Sequence, residues 1–185
     1  MKLFLKSILS LAVISSASLS YSDELIDVRK IKAKKIALEL TELRSQRAAG
    51  FIKPDIDITY NLFKSVCGFV KKRSLELAKN EGVIIRHAAI KHRNPDNAAT
   101  KEESSFQHLF ERNPEIKEIW DETERDGRRY KRYIFPIHVE DACLACHGEK
   151  EARPDFIKTA YPRDTAYGFK TGNIRGIIEI LVPLN

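Results

Sequence analysis

Apolar positions along the chain recur with two different spacings, and the change from one to the other outlines the fold. Ile36, Leu40 and Leu43 recur in steps of four and three, with Lys34, Lys35, Glu39 and Glu42 around them. They lie in a stretch from Asp23 to about Ala49 that is rich in Ala, Leu, Glu, Lys and Arg and lacks Gly and Pro. That pattern predicts a long helix, with Gly50 suited to its C-terminal end. Pro54 and Asp55 are expected to open a second helix, because proline fits a first turn and acids favour the positive end of the dipole. Ile56, Tyr60, Phe63, Cys67 and Val70 then follow in steps of four and three. Cys67 is therefore expected on an apolar helical stripe.

The spacing changes after Gly82. Val83 to Ala88 reads as a short strand, and His92 to Asn97 as a turn-forming loop. Thr100 and Glu103 make a capping box for a helix carrying Phe106, Leu109 and Phe110. Ile116 to Glu124 fits either helix or strand. Asp126-Gly127 signals a hairpin, and Tyr133, Phe135, Ile137 and Val139 then alternate along a strand. Glu149 to Gly172 is rich in loop residues, and Ile174 to Pro183 is a final apolar strand. Two N-terminal helices and an antiparallel sheet make an α+β domain.

Composition adds an address. Met1, Lys2 and Lys6 form a short basic region, Leu3 to Leu19 is mostly apolar, and small residues follow at Ala17, Ser18, Ser20 and Ser22. This is the pattern of a secretory signal peptide cleaved between about Ser18 and Ser22. The expected division is a leader over 1–22 and one domain over 23–185, soluble and periplasmic. The formal charge is +6, and residues 1–22 carry two of those charges on Lys2 and Lys6. A mildly basic domain suits docking to an acidic partner or a membrane surface. The signs alternate without a basic arm, which speaks against nucleic acid.

The chemistry is concentrated at Cys143-Leu144-Ala145-Cys146-His147. C-x-x-C-H is the attachment signature of a c-type haem: two thiols add to the two vinyl groups, and the following histidine lies beneath the ring to bind iron. A zinc half-site would need two more ligands, and a dithiol redox pair expects a βαβ setting. Haem c, one per chain through Cys143 and Cys146, suits an exported protein best. Cys67 is then the odd thiol of three in an oxidising compartment, where a lone thiol oxidises unless it is buried or bound. The motif also sits late, between strands, unlike the motif of an ordinary helical cytochrome c.

The run of motifs resembles a known family, the exported c-type haem domains with a PAS-like fold. These occur alone and as sensor portions of bacterial histidine kinases and chemoreceptors. The resemblance is carried by the helix with Cys67, Arg93-Asn94-Pro95-Asp96-Asn97, Arg132-Tyr133-Ile134-Phe135-Pro136-Ile137, Cys143 to Gly148, Tyr161-Pro162-Arg163-Asp164, Tyr167-Gly168-Phe169 and Gly172-Asn173-Ile174-Arg175-Gly176. It spans roughly Ile36 to Val182. It implies a PAS-like antiparallel sheet with an N-terminal helical extension and a covalent haem with His147 on one side. A cysteine of the N-terminal helix can supply the opposite axial ligand in such proteins, and Cys67 matches that place. The family often has Gly-Pro before that helix and Ala-Pro after its cysteine; here stand Lys53-Pro54 and Gly68-Phe69.

Several side chains become candidates on this basis. His147 and Cys67 are the expected iron ligands, against a plain buried role for Cys67 and against His92, His108, His87 or His138 as substitutes. Arg93, Arg132, Tyr161, Arg163 and Arg175 are candidates for the haem propionates, since Arg pairs with carboxylates in bidentate fashion. Trp120 is expected to pack, and Lys71-Lys72-Arg73 to form a solvated helix face with docking as its weaker use. The expected function is electron transfer or redox sensing with a redox or signalling partner protein, not catalysis. The alternatives are a nitric oxide or carbon monoxide sensor in which Cys67 yields, and a small haem enzyme using His92 and Arg93.

Overall fold

The computed structural model describes residues 11–53 and 56–184, with side chains from Val28 onward. Helix α1 spans Leu11–Phe51. It starts before Asp23 and runs through Gly50, so that glycine does not end it. Ala33, Ile36, Ala37, Leu40 and Ala48 form its buried stripe, as the spacing of Ile36 and Leu40 predicts. Each such Leu or Ile contributes about 2 kcal/mol on burial. The part of the expected leader at residues 1–10 lies outside the described residues. No helix among the described residues is long and apolar enough to cross a membrane.

The second helix begins later than predicted. Pro54 and Asp55 lie outside the described residues, Ile56 precedes the helix and is exposed, and the start is at Tyr60. The side chain of Thr59 caps it by accepting from the Leu62 amide. It runs as α2 (Tyr60–Phe63), a π-helical turn (Lys64–Gly68) and α3 (Phe69–Glu81). The π turn inserts extra residues into the helical period, so the predicted continuous stripe breaks there. Tyr60 and Cys67 are open to solvent while Val70, Ser74 and Leu77 pack inward. Gly82 closes α3 at φ 63°, a left-handed conformation that favours glycine.

Four antiparallel strands follow: β1 (Ile84–Ala88), β2 (Ile119–Arg125), β3 (Arg128–His138) and β4 (Ile174–Pro183). Their order is β1-β4-β3-β2. Asp126 and Gly127, both at positive φ, form the β2–β3 turn. Helix α4 (Lys101–Arg112) opens with the expected capping box of Thr100 and Glu103. Ile116 to Glu124 resolves as strand from Ile119, and Glu149 to Gly172 contains one helix, α6 (Asp155–Ala160).

The sheet is covered on both sides. On one, α1 and α3 pack Leu40, Val70 and Leu77 against Tyr133, Ile178 and Ile180. On the other, α4 packs Phe110 against Ile134 and Ile177. Trp120 stacks on Tyr133 with ring centroids 4.2 Å apart, so it packs as expected.

Candidate functional site

Cys143 closes a 3-10 turn (Asp141–Cys143), and the short helix α5 (Leu144–His147) follows directly. The compact turn keeps Cys143, Cys146 and His147 together on one segment. Gly148 comes next, where a Cβ would stand 2.7 Å from the Leu144 carbonyl oxygen. The last turns of α1 hold this segment and the π turn together. Ser45 donates to Glu140 at 2.8 Å, and Arg47 donates to the Ser65 carbonyl at 2.7 Å. The two parts of the chain that carry cysteine are thus tied to the same end of one helix. All three cysteines are free thiols.

His147 is oriented by the chain itself. Its Nδ1 lies 2.7 Å from the Ala166 carbonyl oxygen. A carbonyl only accepts, so Nδ1 carries the proton and Nε2 keeps its lone pair for a metal. The loop of Ala166 runs alongside: Phe169 donates its amide to the His147 carbonyl at 3.1 Å, and Gly168 donates to Gly148. Gly168 has φ 71°, which suits glycine. The Phe169 ring stands edge-on to the imidazole, at 6.1 Å and 88°.

A buried acid fixes that loop. Asp164, with no exposed side-chain surface, accepts from Arg93 Nε at 3.2 Å, Arg153 Nη1 at 2.7 Å and the Ala166 amide at 2.8 Å. Arg93 in turn donates to the Cys146 carbonyl at 2.6 Å. The chain of contacts Arg153–Asp164–Arg93–Cys146 locks the motif to the loop that orients its histidine.

The electrostatics of the site are unusual. Arg44, Arg93 and Arg175 surround the cysteines and His147. Burial holds the His147 imidazole well below its ordinary range, helped by Arg175 and Arg93, so it is neutral at pH 7. Burial raises the thiols of Cys67 and Cys143, and that of Cys146 to about 11. Burial and the neighbouring cations Arg93 and Arg44 lower Arg175 to about 10. Cys67 is exposed to solvent, and burial raises its thiol against the lowering effect of nearby Arg44 and Arg93; with Cys143, Cys146 and His147 these groups form one cluster.

Two guanidinium nitrogens in this cluster, Arg44 Nη1 and Arg93 Nη1, are buried without a hydrogen-bond partner among the described residues. A buried cationic donor without an acceptor costs several kcal/mol, so the cluster suits a group that brings anionic oxygens. Free thiols at C-x-x-C spacing, an imidazole with Nε2 available and two arginine nitrogens without partners among the described residues together fit a haem with its two propionates. Cys143 and Cys146 could carry it, His147 and Cys67 could approach its iron, and Arg44, Arg93 and Arg175 could meet its carboxylates.

The remaining expected residues fall differently. Arg132 is removed from the group and faces α4. It donates to Asp121 at 2.7 and 2.5 Å and to Glu102 at 2.8 Å, and lies 3.6 Å from Glu179. Its position on β3 next to Tyr133 sends it to the opposite side of the sheet, and three acids there saturate it. This corrects the expectation that it meets propionates. Tyr161 caps α6 and stands 6.4 Å from the Phe63 ring, beside the Cys67 segment. Arg163 is exposed. His92 turns Nδ1 toward the Ile90 carbonyl, and His108 is exposed beside Glu111. A cleft of about 500 Å3 on the α4 side is lined partly by His108, His138 and Phe169, but by none of the cysteines and not by His147.

Sequence reading missed Arg44, Asp164 and Ala166. Arg44 had a signal, since it extends the Ile36–Leu40 stripe by four residues and places a charge where an apolar residue is expected. Asp164 had none beyond its place in a loop motif.

Comparison with known proteins agrees with this picture. The crystal structure of the cyanobacterial heme-protein Tll0287 matches with a TM-score of 0.70 and 33% identity, covering 87% of this chain and 95% of that one. No curated protein matches. A family model described as Tll0287-like matches residues 16–183, nearly the whole chain. A family-model match of that extent, on a sheet and a cysteine-bearing segment arranged as described, establishes that the chain belongs to the Tll0287-like family.

Proposed function

We propose that this chain is an exported monohaem c-type protein of PAS-like fold that serves electron transfer or redox sensing in the periplasm. Haem c is joined to Cys143 and Cys146, and its iron is held by His147 and Cys67. When bound, haem supplies a one-electron ferric–ferrous couple. The chain's own residues do the rest. Ala166 holds the proton of His147 at Nδ1, Asp164 and Arg93 hold the motif still, and Arg44 and Arg175 offer cations to the propionates.

The observation that carries this reading is the His147–Ala166 hydrogen bond beside a cluster of three free thiols and two arginine nitrogens without hydrogen-bond partners among the described residues. The relative's own description as a heme-protein supports it. Export is supported by the basic, apolar and small-residue pattern of Met1 to Ser22.

The test is to produce the protein with a c-type haem attachment system and compare wild type with Cys67→Ala and with Cys143→Ser/Cys146→Ser. Haem that survives acid–acetone extraction in wild type, and is lost from the double variant, supports covalent attachment. Ferric absorption and electron paramagnetic resonance spectra that are the same in wild type and Cys67→Ala would refute the assignment of Cys67.

A second reading, a sensor or carrier of nitric oxide or carbon monoxide, is favoured by one observation. Cys67 sits on the π turn, where the helix is least regular, and solvent reaches it. Ferrous spectra that do not change with either gas would exclude it. Catalysis draws less support. Arg93, one of the pair it would use, is engaged by Asp164 and Cys146, and His92 turns toward Ile90.

A further inference from the structure

The charge of the domain is concentrated on one segment. Residues 47–73 hold six Lys and Arg and two Asp, a net +4, whereas the rest of residues 23–185 sums to zero. This is the segment that carries Cys67. Its outer surface exposes Phe51, Tyr60 and Phe69, at 45%, 50% and 39%. Cations are laid over those rings. The Arg47 guanidinium stands 3.4 Å above Phe69 and 5.7 Å from Phe51, and Lys64 lies 5.3 Å from the centre of Tyr60. Arg47 also donates to Ser65, two residues before Cys67, so the patch and the cysteine segment are continuous. Lys71 extends the exposed positive surface along α3, where Lys72 lies 4.0 Å from Glu76 and Arg73 is paired with Glu39.

We propose that this face docks an acidic protein that carries single electrons, and that the partner approaches from the Cys67 side. The inference rests on the electron-transfer reading and adds to it the partner's chemistry and direction of approach. An apolar centre rimmed by like charge is the usual composition of a protein interface that forms quickly and releases quickly. Cations placed over the aromatic faces present guanidinium and ammonium groups first. That arrangement meets carboxylates. An anionic membrane would instead call for aromatic faces left open to enter the lipid. The positive excess on this segment favours encounter with an acidic surface.

The test uses the haem-loaded protein and a plant-type [2Fe–2S] ferredoxin, an acidic one-electron carrier, as the probe. Binding is measured by calorimetry for wild type, for Lys64→Glu/Lys71→Glu and for the control Lys101→Glu/Arg128→Glu, whose exposed residues lie on α4 and at the β2–β3 turn. Unchanged haem spectra certify each variant as folded. The expected result is a loss of about tenfold or more for the first pair, a much smaller loss for the control, and about tenfold weakening of wild type between about 20 and 200 mM salt. Equal losses for both pairs, or no binding at low salt, would overturn the proposal. So would vesicles of phosphatidylcholine and phosphatidylglycerol that bind the protein through the same residues while ferredoxin does not. Reduction by methyl viologen radical is read separately. A protein that binds ferredoxin through this face but whose iron does not cycle would keep the surface and sink the electron-transfer reading.

Discussion

Nδ1 of His147 and the carbonyl oxygen of Ala166 are 2.7 Å apart, and Ala166 is held in turn by the carboxylate of Asp164 through its amide. The orientation of the imidazole therefore depends on an acid seventeen residues further along the chain.

Replacing that acid tests the dependence. Asp164→Asn keeps an oxygen for the Ala166 amide but leaves Arg93 and Arg153 as buried cations without a counter-charge. A loss of roughly 3 kcal/mol in unfolding free energy is expected. In the haem-loaded protein the signature of the His147 side should broaden in electron paramagnetic resonance spectra. Urea denaturation checks the first effect, and a spectrum as sharp as that of wild type would refute the second.

Arg132 and Arg44 offer a paired comparison. Arg132→Ala strips Glu179, which is 3% exposed, of a buried partner and should cost about 3 kcal/mol while leaving haem spectra and midpoint potential as they were. Arg44→Gln removes a positive charge from the proposed haem site. It should lower the midpoint potential by on the order of 50 mV, because a nearby cation favours the reduced iron. Potentiometric titration of both variants separates the roles, and a shift in the Arg132 variant would return that residue to the site.

Acid stability should depend on His87. Burial, with Arg44 beside it, holds this imidazole at about 3, whereas the unfolded chain has the ordinary 6.5. Arg44 donates to Nδ1 at 3.2 Å, so the proton sits on Nε2. A depressed histidine adds stability that is complete above pH 6.5 and is lost as pH falls toward 3, since the unfolded state takes the proton first. In His87→Gln, which keeps an acceptor for Arg44, the decline over that window should shrink by on the order of 3 kcal/mol. Unfolding free energies measured at several pH values decide it. Equal slopes in both proteins would contradict the prediction.

At Gly176, β4 passes close to β1. A Cβ there would collide with the Ala88 carbonyl oxygen on β1 and press on the Ala89 side chain. Gly176→Ala should therefore cost about 2 kcal/mol by forcing β1 and β4 apart. Thermal unfolding checks it, and a melting temperature equal to that of wild type would show that the strands can yield.

Much of the fold was legible because it rests on periodicity. Ile36 and Leu40 placed the buried face of α1, Thr100 and Glu103 placed the start of α4, and Asp126-Gly127 placed the hairpin. The entry to the second helix was misread because Pro54 and Asp55 are a good start signal and Thr59 is a comparable one. The π turn was invisible, since no residue type encodes it, and it is the reason Tyr60 and Cys67 do not share a buried stripe with Val70. Within the site, covalent spacing announced Cys143, Cys146 and His147. The arginines were harder to place. A strand alternates its faces, and Arg132 could be assigned to one only by knowing which side of the sheet holds the acids. Asp164 satisfies two arginines distant in sequence, Arg93 and Arg153, a pairing that only the folded chain brings together.

The π turn and the Asp164 cluster bound the site in unequal ways. On the His147 side, buried ion pairs and backbone bonds leave the chain almost no freedom. On the Cys67 side the helix passes through π geometry, and a hydrogen bond from Arg47 to the Ser65 carbonyl ties that turn to α1. On the reading proposed above, a change in how Cys67 meets the iron would act first on this turn. The motion would emerge beneath Tyr60, Lys64 and Phe69, so that a partner resting there could feel the oxidation state of the iron by touch, without exchanging an electron.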